Sequence, residues 1–140
     1  MIDADIILEK TNSIQNCLKR IHDKLQSDVN RIEDLDIQEI VVLNLQRAIE
    51  LIIDIASYVV SKKHFGTPKS IKDLFHILEQ NQWLQHELSS KMQKMVGFRN
   101  IAVHDYQAID PEILKSVLSH HLKDLEEFYT VIIKKTQLKS

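Results

Sequence analysis

In the stretch FRNIAVHDYQAIDP, residues 98–111, Arg99, Asn100, His104, Asp105 and Tyr106 are interleaved with small apolar residues just before the second of two prolines. Their types suit phosphate chemistry. Arg99 offers a permanently charged donor fork, and His104 is the one side-chain type whose unperturbed pKa lets it give or take a proton near neutral pH. Cleaving RNA without a metal needs a base for the 2′-hydroxyl, an acid for the leaving oxygen and positive charge beside the crowded phosphate. An arginine and a histidine supply most of that. The spacing raises a difficulty, because five residues on a continuous α-helix set two side chains about 140° apart around the axis. Either the helix ends before His104, as the DYQAID segment implies, or the site combines residues from two subunits. Tyr106, which follows Arg99 by two helical turns, shares nearly its azimuth if the helix holds and would then stand close to the cation.

The elements that must carry this segment are helical. Gly 2 and Pro 2 in 140 residues leave little to interrupt helices, and one domain spanning residues 1–140 is expected. Ile6, Ile7, Ile14, Cys17, Leu18, Ile21 and Leu25 recur at helical spacing, predicting a first helix from Asp3 to about Val29, followed by the polar connector NRIEDLD. A second helix is expected from Ile37 to Lys63. It is apolar so far round its circumference that it must be the centre of a bundle or also half of a dimer interface. Gly66 ends it, and either Pro68 or the Ser70/Asp73 pair starts a short third helix over 71–80. Asn81 to Leu84 reads as a kink, with Trp83 an anchor between helices. A fourth helix is expected over 87–103, and Asp110-Pro111 opens a fifth that runs through Ile132. The fold class is an all-α single-domain bundle of about five helices, dimeric.

A formal charge of −2 and a pI near 6.4 exclude a generic phosphate-coating protein, so any nucleic-acid contact must be local. A lone Cys17 and the absence of Cys/His metal spacing indicate a reducing compartment, with the thiol a buried small hydrophobe. The start MIDADIILEK lacks the basic region of a signal peptide, and no apolar run reaches the ~18 residues that span a bilayer. A soluble cytoplasmic protein without membrane contact, metal or cofactor is expected.

RNIAVHDY resembles the R-x4-6-H motif of the HEPN superfamily, here as R-x4-H-x-Y, the form found in HepT-like toxins encoded beside a minimal nucleotidyltransferase antitoxin. Asn100, the polar residue after the arginine, agrees with that pattern. LQRAIELIIDIASYVV is similar to the family's second helix, so the resemblance covers most of the chain from about Ile37 onward. It implies a helical bundle that dimerises with the two motifs facing each other across a cleft, as a homodimer that could enter a larger hetero-oligomer. It also implies a metal-independent endoribonuclease acting on an RNA substrate in toxin–antitoxin defence. Arg99 and His104 match the catalytic pair, Asn100 a supporting residue, and Tyr106 the tyrosine to which the nucleotidyltransferase attaches AMP, blocking the site with bulk and negative charge. Two histidines across a dimer axis would divide the acid and base roles.

Each residue also has a plainer reading. Arg99 can be a cation at a helix C-terminus, paired with Asp105; His104 a capping or core histidine; Tyr106 a packed aromatic. Glu50 and Asp54, one turn apart in an apolar helix, read as a solvent stripe or as a partner that orients the histidine. His120 and His121 point about 100° apart on a helix and make no ordinary metal site. Lys62, Lys63, His64, Lys134, Lys135 and Lys139 read as solvated helix ends, with RNA-backbone contact as the other possibility. The competing reading of the whole chain is a non-catalytic helical adaptor that binds a nucleotidyltransferase or a nucleotide.

Overall fold

The structure, a computed structural model, describes residues 2–138, the side chain of Leu138 excepted; Lys139 lies outside the described residues. Among the described residues six α-helices follow in order: α1 (Ala4–Leu25), α2 (Leu35–Lys62), α3 (Ile71–Gln80), α4 (His86–His104), α5 (Pro111–His120) and α6 (Leu122–Leu138). Two 3-10 turns, Val29–Glu33 and Tyr106–Ala108, join α1 to α2 and α4 to α5.

Helix α1 starts where the Asp3 carboxylate accepts the Asp5 N–H. It stops at Leu25, earlier than the periodicity predicts, because Gln26 and Ser27 both take positive φ, 49° and 64°. The acidic connector is not a free loop, since it winds into the first 3-10 turn and buries Ile32. Asp34 then caps α2 by accepting from the Asp36 and Ile37 amides. Ser70 rather than Pro68 starts α3, its hydroxyl accepting the Asp73 N–H at 3.1 Å while Asp73 accepts the Lys69 N–H at 2.9 Å.

Helix α2 is the centre of the bundle, packed against α1, α3, α4 and α6. Its buried Val41, Leu45, Ala48, Ile52, Ile55, Ala56 and Val59 leave water on contact with these neighbours, and burial of such side chains stabilises by about 1.5–3 kcal/mol each. Trp83 is buried and meets Phe65 edge-on, with ring centroids 6.3 Å apart, tying the α3–α4 connection to the end of α2. The α2 surface is nevertheless not fully covered, since Leu43 remains 44% exposed.

The expected fifth helix is two helices. No glycine or proline marks the break at His121. A buried carboxylate makes it: Asp124 accepts from His121 Nδ1 at 2.8 Å, stands 3.8 Å from Lys91 Nζ on α4, and donates its own N–H to the His121 carbonyl at 3.0 Å. Satisfying that carboxylate bends the chain and aims α6 back across α1, α2 and α4.

Candidate active site

The motif occupies the last turn and a half of α4. That helix holds through His104 and ends because Asp105 adopts φ −154°, ψ 75°, although its N–H still reaches the Ile101 carbonyl at 2.8 Å. The 3-10 turn from Tyr106 follows, and Asp110 caps α5 by accepting the Glu112 N–H at 2.9 Å. Of the two geometries that could reconcile the arginine–histidine spacing, an early end to the helix is therefore ruled out. Arg99 and His104 lie about 140° apart on one continuous helix.

Arg99 faces α2. Its Nε and Nη2 both donate to Glu50 Oε1 at 3.2 Å, and its Nη1 donates to Asn100 Oδ1 at 3.0 Å. Only three of the guanidinium's five N–H donors are engaged, and the side chain keeps 20% of its exposure, so a seated cation still offers donors to an anion. The partner is Glu50 rather than Asp105, because α2 and α4 run antiparallel and bring Glu50 across from the motif while Asp105 has left the helix. Glu50 seats the arginine rather than the histidine. Asp54, one turn on, is the solvent-stripe residue, 57% exposed and 3.7 Å from Lys10 Nζ.

His104 is exposed on the last helical position, with neither a core nor a capping role. Tyr106 is 37% exposed. Its phenol pKa is raised by burial and by the carboxylate of Glu39, also on α2. The shared azimuth with Arg99 does not carry through, because the helix stops between them. Glu39 and Glu50 are separated by about 16 Å of helix axis, so phenol and guanidinium are addressed by different carboxylates. Beyond Glu50, α1 and α2 flank an open groove of about 380 Å³. Among the described residues no cluster of three His, Cys, Asp or Glu side chains could hold a metal ion, and no helix is long and apolar enough to cross a membrane.

The family model described as ribonuclease HepT-like matches residues 14–132, which include the whole motif. The chain belongs to the HepT-like ribonuclease family. Among curated proteins, the mRNA nuclease HepT of Shewanella oneidensis is 43% identical over 128 residues, covering 91% of this chain and 96% of that one. A toxin–antitoxin crystal structure with AMP-PNP contains a chain 42% identical to this one, with a TM-score of 0.87 and coverage of 91% and 97%. The tri-AMPylated HEPN toxin of Shewanella oneidensis, solved with its MNT antitoxin, is likewise 42% identical, with a TM-score of 0.86 and coverage of 94% and 98%. Membership in a ribonuclease family decides for the enzyme over the adaptor.

Within the HepT-like frame, the motif and its helix were legible from the sequence. The Glu50–Arg99 pair was not assigned, although a carboxylate in so apolar a helix was its signal. The carboxylate whose charge acts on Tyr106 left no local signal at all, since Glu39 is far from it in sequence.

Proposed function

We propose that the chain is a metal-independent endoribonuclease toxin that cuts RNA as a homodimer and is silenced when a nucleotidyltransferase antitoxin attaches AMP to Tyr106. The observation that carries this reading is the seating of Arg99 by Glu50 and Asn100, with donors to spare, on the same helix end that exposes His104. The guanidinium grips the non-bridging oxygens of the scissile phosphate and stabilises the charge that builds as it becomes five-coordinate. One imidazole removes the 2′-hydroxyl proton, O2′ attacks phosphorus, and the bond to O5′ breaks as a second imidazolium protonates it. The products are a 2′,3′-cyclic phosphate and a 5′-hydroxyl end.

Two histidines are required, and one chain carries one His104. The partner's copy fills the second role. Support for pairing comes from the face around Arg99: Val103 lies one turn beyond it and Leu43 two turns before Glu50, and both are exposed, at 42% and 44%. Such a patch, covered by its own copy, forms a two-fold interface with Arg99 at its edge.

Tyr106 as AMP acceptor is supported by its exposure and by the AMPylated state of the Shewanella relative. The phenol oxygen attacks the α-phosphorus of ATP and pyrophosphate leaves, placing a bulky anion at the mouth of the cleft.

The decisive experiment pairs Arg99→Ala and His104→Ala, each purified with its helical circular dichroism intact. Both should lose RNA cleavage and growth inhibition, and mixed dimers pairing a His104→Ala subunit with an unsubstituted one should be inactive as well, since they keep a single imidazole. Full cleavage by either single variant would remove that residue from the mechanism. Cleavage abolished by EDTA would remove the metal-free scheme.

A further inference from the structure

Two of the four arginines in the chain, Arg20 and Arg47, line one groove, and a third, Arg99, is ion-paired to Glu50 in its wall. Arg20 on α1 and Arg47 on α2 line the 380 Å³ groove between those helices, together with Ser13, Asn16, Glu50 and Asp54. Glu50 is shared, since it lines the groove and holds Arg99.

The charges of this groove do not cancel. Glu50 is occupied by Arg99 and Asp54 stands 3.7 Å from Lys10, so both carboxylates are matched by cations. Arg47 is exposed and makes no hydrogen bond or ion pair among the described residues. Arg20 is exposed as well; it donates one long bond, 3.4 Å, to Oδ1 of Asn44 and also hydrogen-bonds the Cys17 side chain, with no carboxylate partner among the described residues. Asn44 is itself buried, at 3%, and fixed by a 2.8 Å bond from its Nδ2 to the Ile40 carbonyl. A buried amide thus aims one guanidinium into a groove where a second stands open. Both act on the Cys17 thiol in the groove wall, opposing the rise in its pKa that burial causes, so both cations stand near that wall.

We propose that the α1–α2 groove is a backbone-phosphate subsite for single-stranded RNA, in which Arg47 and Arg20 bind phosphates flanking the one held at Arg99. This rests on the ribonuclease reading above and deepens it. Arg47 lies one helical turn from Glu50, about 5 Å along α2, so a strand crossing Arg99 meets the next cation within roughly the reach of the next phosphate. Guanidinium forks suit phosphate oxygens better than ammonium groups do, and Asn16 and Ser13 supply neutral donors beside them. The site gives an acidic protein a local cationic track for RNA.

The test measures binding of a single-stranded RNA oligonucleotide to the full chain in a His104→Ala background, with and without Arg20→Ala and Arg47→Ala together. The double substitution should raise Kd by roughly tenfold or more and flatten the slope of log K against log salt by about 1.4, the loss of two phosphate contacts on a single strand. Lysine at both positions should restore the salt slope while recovering only part of the affinity. Unchanged affinity and slope would overturn the subsite. Unchanged RNA binding with loss of antitoxin binding would also overturn it and make the groove a protein interface. Arg99→Ala, assayed for cleavage alongside, separates the two levels: if that variant cuts RNA normally, the ribonuclease mechanism itself is wrong, whatever the groove binds.

Discussion

Replacing Glu50 tests whether the seat of Arg99 matters to catalysis. Glu50→Ala removes two hydrogen bonds, both at 3.2 Å and both to one carboxylate oxygen, leaving the guanidinium tied only to Asn100. The pair is partly in water, with the side chains 20% and 40% exposed, so its worth to folding is that of a good surface ion pair, about 1 kcal/mol. A melting temperature lower by about 3 °C is expected. The effect on cleavage should be larger. A freed arginine recovers rotamer freedom that must be lost again when the phosphate is gripped, about 1.5–2 kcal/mol, which is roughly a 10–30-fold fall in kcat/KM. Glu50→Gln keeps an acceptor oxygen at the same place and should lose only a few-fold. The assay is cleavage of a fluorogenic RNA under subsaturating conditions, with thermal melts in parallel. An alanine variant as active as the parent, with Arg99→Ala dead, would refute the claim that Arg99 needs a fixed seat. A loss as deep as that of Arg99→Ala would show that Glu50 takes part in the chemistry instead.

Light scattering at micromolar concentration should report about twice the chain mass of 16.3 kDa, and Leu43→Glu or Val103→Glu, each burying a charge in the paired face, should shift the protein to monomer and remove cleavage; an active monomer would place both proton-transfer roles in one chain. Glu39→Gln should lower the phenol pKa of Tyr106 toward its ordinary value, because the neighbouring negative charge that disfavours phenolate is gone, and ultraviolet titration of the tyrosines follows it. Co-expression with the antitoxin should add AMP-sized mass to the peptide containing Tyr106, and Tyr106→Phe should escape it and stay toxic; an adduct found elsewhere would return Tyr106 to a packed aromatic. Asp124→Ala should cost about 2 kcal/mol in urea unfolding, since His121 and Lys91 lose a buried acceptor, and an unaffected midpoint would mean that the α5–α6 bend is held by apolar packing alone.

Helix content, most helix starts and the motif segment are written locally. Apolar positions repeating with the helical period define a buried stripe wherever they fall, and Asp34, Ser70 and Asp110 cap α2, α3 and α5 through amides two or three residues away. The sequence also carries RNIAVHDY whole, because its residues are neighbours in the chain. Which way those residues face is a different matter. That α4 persists through His104, turning histidine and arginine apart, depends on whether the last turn is held, and FRNIAVHDYQAIDP contains no proline or glycine before Pro111 to decide it. Arg99 meets Glu50 across 49 residues, and the phenol of Tyr106 feels the charge of Glu39 across an even longer separation, relations that exist only because α2 packs against α4. The bend at His121 has the same origin: Asp124 is costly to bury until Lys91 on another helix and His121 in the bend satisfy it, and local periodicity has no knowledge of that partner. Groups one turn apart can be read from spacing, whereas the environment of a charge is set by whichever distant segment the core brings against it.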